Sequence, residues 1–160
     1  MSETNSNQGM NDNVMIVSNS EMFGLLEELL GEEKSVRIKV KGTSMLPLLH
    51  DEIDQVELSK PTVKEMVPGA IVLFRYNDAF LLHRIIYRNE NKLILKGDNV
   101  FQSKEEATTD HVIGIVSKII YPGGRELSAN SFQWKTLSRC RFFIKHFYRL
   151  RLFLIKRLLF

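Results

Sequence analysis

The sequence predicts a mainly β domain of antiparallel strands, preceded by one helix and followed by a basic amphipathic helix. Three observations lead there. About six short segments of strand character lie close together between turn residues, with no alternation of strand and helix of the kind a parallel sheet requires. A single stretch with an apolar period of 3.6 residues stands ahead of them. The 160 residues are 44% hydrophobic and 26% charged. That suits one ordinary core without staples and excludes collagen-like, low-complexity and disulfide-scaffold chains. One cysteine, Cys140, forms no internal disulfide and is compatible with a reducing compartment.

The elements follow in order. Residues 1–13 are polar and aperiodic, which predicts a disordered tail without the basic and apolar regions of a secretory signal. Ser18-Asn19-Ser20-Glu21 fits a capping box, and Met22, Leu25, Leu26, Leu29 and Leu30 then recur at helical spacing up to Gly31. A helix over roughly 19–30 is expected. Val36, Ile38 and Val40 alternate with Arg37, Lys39 and Lys41, as in a half-exposed strand. A loop over 42–52 separates it from a weaker strand, Ile53–Leu58. Pro68-Gly69 is a turn before the strand Ala70–Tyr76, and Asn77-Asp78 a hairpin turn before Phe80–Tyr87. Lys92–Lys96 and His111–Ile120 complete the set, ahead of Pro122-Gly123-Gly124. No repeat is visible.

Charge is unevenly placed. The net charge of +3 hides a segment, 127–160, that holds eight of the 22 Lys and Arg and no acid. Residues 1–126 therefore carry 14 bases against 19 acids, a balance of −5. In the tail, Arg141, Lys145 and Arg149 recur every four residues among Phe142, Phe143, Ile144, Phe147, Leu150 and Phe153. A helix here would carry a basic stripe and a broad apolar remainder. Three partners suit it: a membrane surface with the helix in its plane, a partner protein, or nucleic acid. The many Phe and Leu residues argue against a phosphate-binding arm, so nucleic acid is the least favoured. No stretch approaches the roughly 20 apolar residues needed to cross a bilayer.

Three segments carry candidate chemistry. Lys41-Gly42-Thr43-Ser44-Met45-Leu46-Pro47 places a serine in a loop after a strand, with Gly42 permitting a sharp path and Pro47 stiffening the exit. Taken alone, Ser44 reads as an ordinary loop serine. In Leu81-Leu82-His83-Arg84-Ile85-Ile86, strand alternation puts His83 on the face of Leu81 and Ile85, away from Leu82, Arg84 and Ile86. A histidine among aliphatics is commonly a hydrogen-bonded core residue. Lys96-Gly97-Asp98-Asn99 ends a strand and alone reads as an Asx turn.

Their order says more. Gly-x-Ser-Met-x-Pro, the strand Gly69 to Phe74, His-Arg-Ile and Lys-Gly-Asp-Asn together resemble the LexA-like and type I signal peptidase superfamily of serine peptidases. The resemblance runs from about Phe23 to Ile120 and implies a LexA/signal-peptidase-like antiparallel β fold. The base in this superfamily is Lys in LexA-like and most bacterial signal peptidases, and His in the branch similar to endoplasmic-reticulum and sporulation-type enzymes. With His83 at that position, the chain looks like the Ser-His branch. The resemblance implies Ser44 as nucleophile, His83 as base and Asp98 as the acid assisting it, with Glu105 and Asp110 as the next candidates. A second Asp, usual after the Gly-Asp-Asn segment, is missing. The Ser44 N–H would serve the oxyanion hole, and Gly42, Ser44 and Met45 would form the substrate cleft beside an exposed β edge.

The chemistry is consistent with these types. A serine hydroxyl needs a neighbouring base, and acyl transfer needs the proton returned to the leaving amine. Imidazole, ordinarily titrating near about 6.5, can do both around neutrality, whereas a lysine would have to be buried. Neither a metal nor another cofactor is expected. The resulting expectation is a serine endopeptidase domain over 14–126, with the segment 127–160 as its attachment. The protein would be cytoplasmic, held peripherally at a membrane through the tail. The N-terminal transmembrane anchor of signal peptidases and the helix-turn-helix of LexA repressors are not seen. The substrate would be a peptide with small residues near the cut, or the chain's own N-terminal tail, although no Ala-Gly or Cys-Gly pair occurs there. The opposing expectation is a catalytically idle peptide- or partner-binding module on the same fold.

Overall fold

The computed structural model describes residues 19–32, 34–77, 79–129, 131–134 and 136. The Ser18 cap, the tail over 1–13 and almost all of the basic segment, with Cys140, lie outside the described residues. Helix α1 (Asn19–Gly31) leads, as its leucine spacing predicts. Eight strands follow: β1 (Val36–Lys39), β2 (Gln55–Ser59), β3 (Ile71–Tyr76), β4 (Ala79–Asn89), β5 (Lys92–Lys96), β6 (Glu105–Thr108), β7 (Val112–Ile120) and β8 (Glu126–Ser128). They form one antiparallel sheet in the order β1-β2-β7-β3-β4-β5-β6, with β8 pairing β7.

This is the mainly β architecture the sequence predicts, with adjustments at the ends. Ile53 belongs to the turn before β2 and is 58% exposed, and His111 lies in a 3-10 turn before β7. β6 and β8 are additions. β6, Glu-Glu-Ala-Thr, carries no large apolar residue and forms because its backbone completes the edge of β5. β8 has three residues and exists by pairing Lys118–Ile120.

The central strands are buried on both faces, because apolar clusters cover each. Ile71 and Leu73 of β3 enter one cluster with Leu26, Leu30, Leu58 and Val116; Val72 and Phe74 enter the other with Ile85, Leu93, Leu95 and Ile115. The first cluster extends beyond residue 126. Leu127 and Trp134 are both 6% exposed within it, so the core draws on a segment the sequence assigns to the tail.

Candidate active site

The serine lies on a loop tied at its stem. Val40 N–H donates to Asp54 O at 3.0 Å and Glu52 N–H to Val40 O at 2.9 Å, which closes the loop over 41–51 like the end of a ladder. Gly42 has φ +94°, a conformation that favours glycine, and its N–H donates to Asp51 Oδ1 at 2.7 Å. Asp54, 1% exposed, accepts from the His50 N–H at 2.7 Å and lies 3.0 Å from His50 Nδ1. Its charge adds to the burial that pushes the Tyr121 phenol above its ordinary range, against the opposing Arg125 guanidinium. Met45 and Leu49 plunge into the first cluster at 2% and 0% exposure. The side chain of Met45 therefore anchors the loop and does not line a cleft, which corrects its assignment to the substrate site. Ser44, between Gly42 and Met45, stays partly exposed.

His83 sits on β4 opposite Val72, on the face of Leu81 and Ile85, with its ring 6.2 Å from that of Phe74. It is 4% exposed, and its Nδ1 lies 2.9 Å from Glu105 Oε2. Glu105 is itself 8% exposed. The register explains the meeting. Ile85 pairs with Leu95 and Leu95 with Glu105, so these residues share a face, and His83 is two residues along it.

The same register removes Asp98 from the role the sequence gives it. Arg84 pairs with Lys96, and alternation carries Asp98 to the Arg84 side of the sheet. There Arg84 grips it with Nε to Oδ1 at 2.9 Å and Nη2 to Oδ2 at 2.7 Å, and donates Nη1 to Gly69 O at 2.7 Å. Asp98 is thus the partner of a buried guanidinium, and Glu105 is the acid on His83. Asp110 is exposed in the 3-10 turn before β7 and is not among the partners of His83. Sequence contains one signal for Glu105: in Glu105-Glu106-Ala107-Thr108, alternation puts Glu105 with Ala107 on the buried face, and a buried carboxylate needs a partner.

Gly97 lies where the Ser44 loop and His83 approach each other. A Cβ on Gly97 would stand 2.7 Å from Ser44 O and 3.0 Å from His83 Nε2, so the serine backbone and the far ring nitrogen meet over this glycine. Asn99 fixes the approach, donating its N–H to Ser44 O at 2.7 Å and its Nδ2 to Thr43 O at 3.2 Å. Among the described residues, the Ser44 hydroxyl and His83 are not hydrogen-bonded to each other; such bonds commonly tighten only when substrate is bound. Among the described residues, every sealed side-chain nitrogen or oxygen has a hydrogen-bond partner. His83 Nε2, which has none, is therefore the ring nitrogen open to solvent. No group of His, Cys, Asp and Glu suited to a metal occurs among the described residues.

Such a site has the parts for acyl transfer: a hydroxyl on a tied loop, an imidazole with one open nitrogen, and a carboxylate on the other. No curated protein matches the chain. The family model described as Peptidase S24-like matches residues 7–120, a span that takes in the Ser44 loop, His83 and Glu105, and the chain belongs to that family.

Proposed function

We propose that the chain is a serine endopeptidase of the signal-peptidase-like kind, in the Ser-His branch. Ser44 is the nucleophile, His83 the base and Glu105 the acid that orients it. The observation that carries this reading is His83 itself, buried, bound to Glu105 through Nδ1 and reaching the Ser44 loop with Nε2. A carboxylate on Nδ1 fixes the tautomer with its lone pair on Nε2, where it can take the Ser44 proton. Oγ then attacks the substrate carbonyl, and the proton passes from His83 to the departing amine as the C–N bond breaks. Water, activated by the same nitrogen, releases the acyl group from Ser44. The Ser44 N–H serves the tetrahedral oxyanion, a donor whose loss typically costs about 3 kcal/mol. An extended peptide suits the outer edge of β1, which among the described residues pairs only with β2 and leads into the serine loop.

Labelling with a serine-directed fluorophosphonate probe tests this: wild type should react, and Ser44→Ala and His83→Ala should not. Equal labelling of all three would sink the assignment. A silent wild type that still binds peptides would favour the idle module, which the unbonded Ser44 hydroxyl supports. The basic Phe-rich segment is the place for a peripheral attachment to an anionic membrane on the cytoplasmic side, which co-sedimentation with anionic vesicles tests. Deletion of 135–160 without effect on co-sedimentation would remove that part.

A further inference from the structure

Trp134 lies past the last strand and is brought back to the sheet by a chain of specific bonds. Ala129 N–H donates to Ser117 O at 2.8 Å. Ser131 then caps a helical turn, its Oγ accepting from the Trp134 N–H at 3.1 Å. The turn buries the indole in the first cluster and sets the Arg84 guanidinium over its ring, 5.9 Å from the centroid. Arg84 is 1% exposed, so protein groups must take the place of its water. Asp98 and Gly69 hold its edge, and the indole covers its face. Asp98 is followed directly by Asn99, which holds the carbonyls of Thr43 and Ser44. Each link from Trp134 to Ser44 is a direct contact or a peptide bond.

We propose that Trp134 is a positioning residue for the Ser44 loop, acting through Arg84 and Asp98. The proposal rests on the peptidase reading only in taking Ser44 as the nucleophile. What the loop needs from this position is an aromatic face: a ring attracts the guanidinium above it, whereas an aliphatic side chain fills the volume without that attraction and leaves Asp98 and Gly69 to hold the fork without it. That distinction separates positioning from core filling.

Trp134→Phe and Trp134→Leu therefore provide the test in the full chain, with two readouts. Hydrogen exchange at the Asn99 amide and across 42–52 should be faster in Trp134→Leu than in Trp134→Phe. Fluorophosphonate labelling should be slower by roughly tenfold in the Leu variant and near wild type in the Phe variant. Equal exchange and equal labelling in the two variants would overturn the proposal. Should Trp134→Leu not fold, Arg84→Lys leaves the indole in place and should quicken exchange at Asn99; an unchanged rate there would overturn it equally. A wild type that does not label removes the peptidase reading, and the exchange comparison then decides the positioning role alone.

Discussion

His83 and Arg84 are neighbours that face away from each other across β4, so on the proposed reading one serves the chemistry and the other the scaffold. His83 meets Glu105 on one face, and Arg84 meets Asp98 on the other. Two isosteric substitutions should therefore fail in different ways. Glu105→Gln replaces a carboxylate that can only accept with an uncharged amide that can also donate, so the imidazole tautomer is no longer fixed, and should slow probe labelling by roughly two to four orders of magnitude. Its urea midpoint should move less than that of Asp98→Asn. Asp98→Asn leaves a buried guanidinium without its counter-charge, at a cost of about 3 kcal/mol in urea unfolding. The reverse pattern, with Asp98→Asn abolishing labelling in a protein of wild-type stability, would restore Asp98 to the site. Ser44 and His83 can be picked out of the sequence as candidates through the order of four short motifs, each of them unremarkable alone. The carboxylate beside His83 is legible only as a choice behind Asp98, since its identity depends on the register of β4, β5 and β6 at once.

At the scale of elements, the alternating strands and α1 can be read from sequence because each has its own periodic apolar face. β6 and β8 cannot, since their pairing partners decide them. The Lys96-Gly97-Asp98-Asn99 turn illustrates the same limit. Its residues read as an Asx turn, yet three of the four have a separate long-range role: Gly97 admits Ser44 and His83, Asp98 holds Arg84, and Asn99 holds the serine loop. Gly97→Ala should thus cost activity out of proportion to its size. The new methyl would stand 2.7 Å from a backbone oxygen, which cannot rotate away as a side chain could. The loop must shift, and misplacement on the order of 1 Å costs about 100-fold in a reaction that depends on alignment. Labelling kinetics measure this, and a Gly97→Ala protein reacting at the wild-type rate would show that loop and histidine need not meet there.

Over the whole molecule, the division between an acidic body and a basic tail does not coincide with the end of the core. The charge changes near residue 126, whereas the core continues through Leu127 and Trp134. Two truncations separate the boundaries. A chain ending at 126 loses both buried side chains and the β8 pairing. Deletions of that kind cost on the order of 5 kcal/mol or more, comparable with the whole stability of many domains, so this chain should lose its cooperative melt. A chain ending at 136 keeps Trp134 and the cap that orients it, together with every described element. It should melt near the full-length protein and label at the same rate, while losing seven of the eight basic residues of the tail and its co-sedimentation with anionic vesicles. Thermal melts and labelling of the two truncations, run beside the full chain, give the comparison. If the chain ending at 126 melts cooperatively at the full-length temperature, Leu127 and Trp134 are not core. If the chain ending at 136 still binds vesicles, the attachment lies in the body and not in the tail.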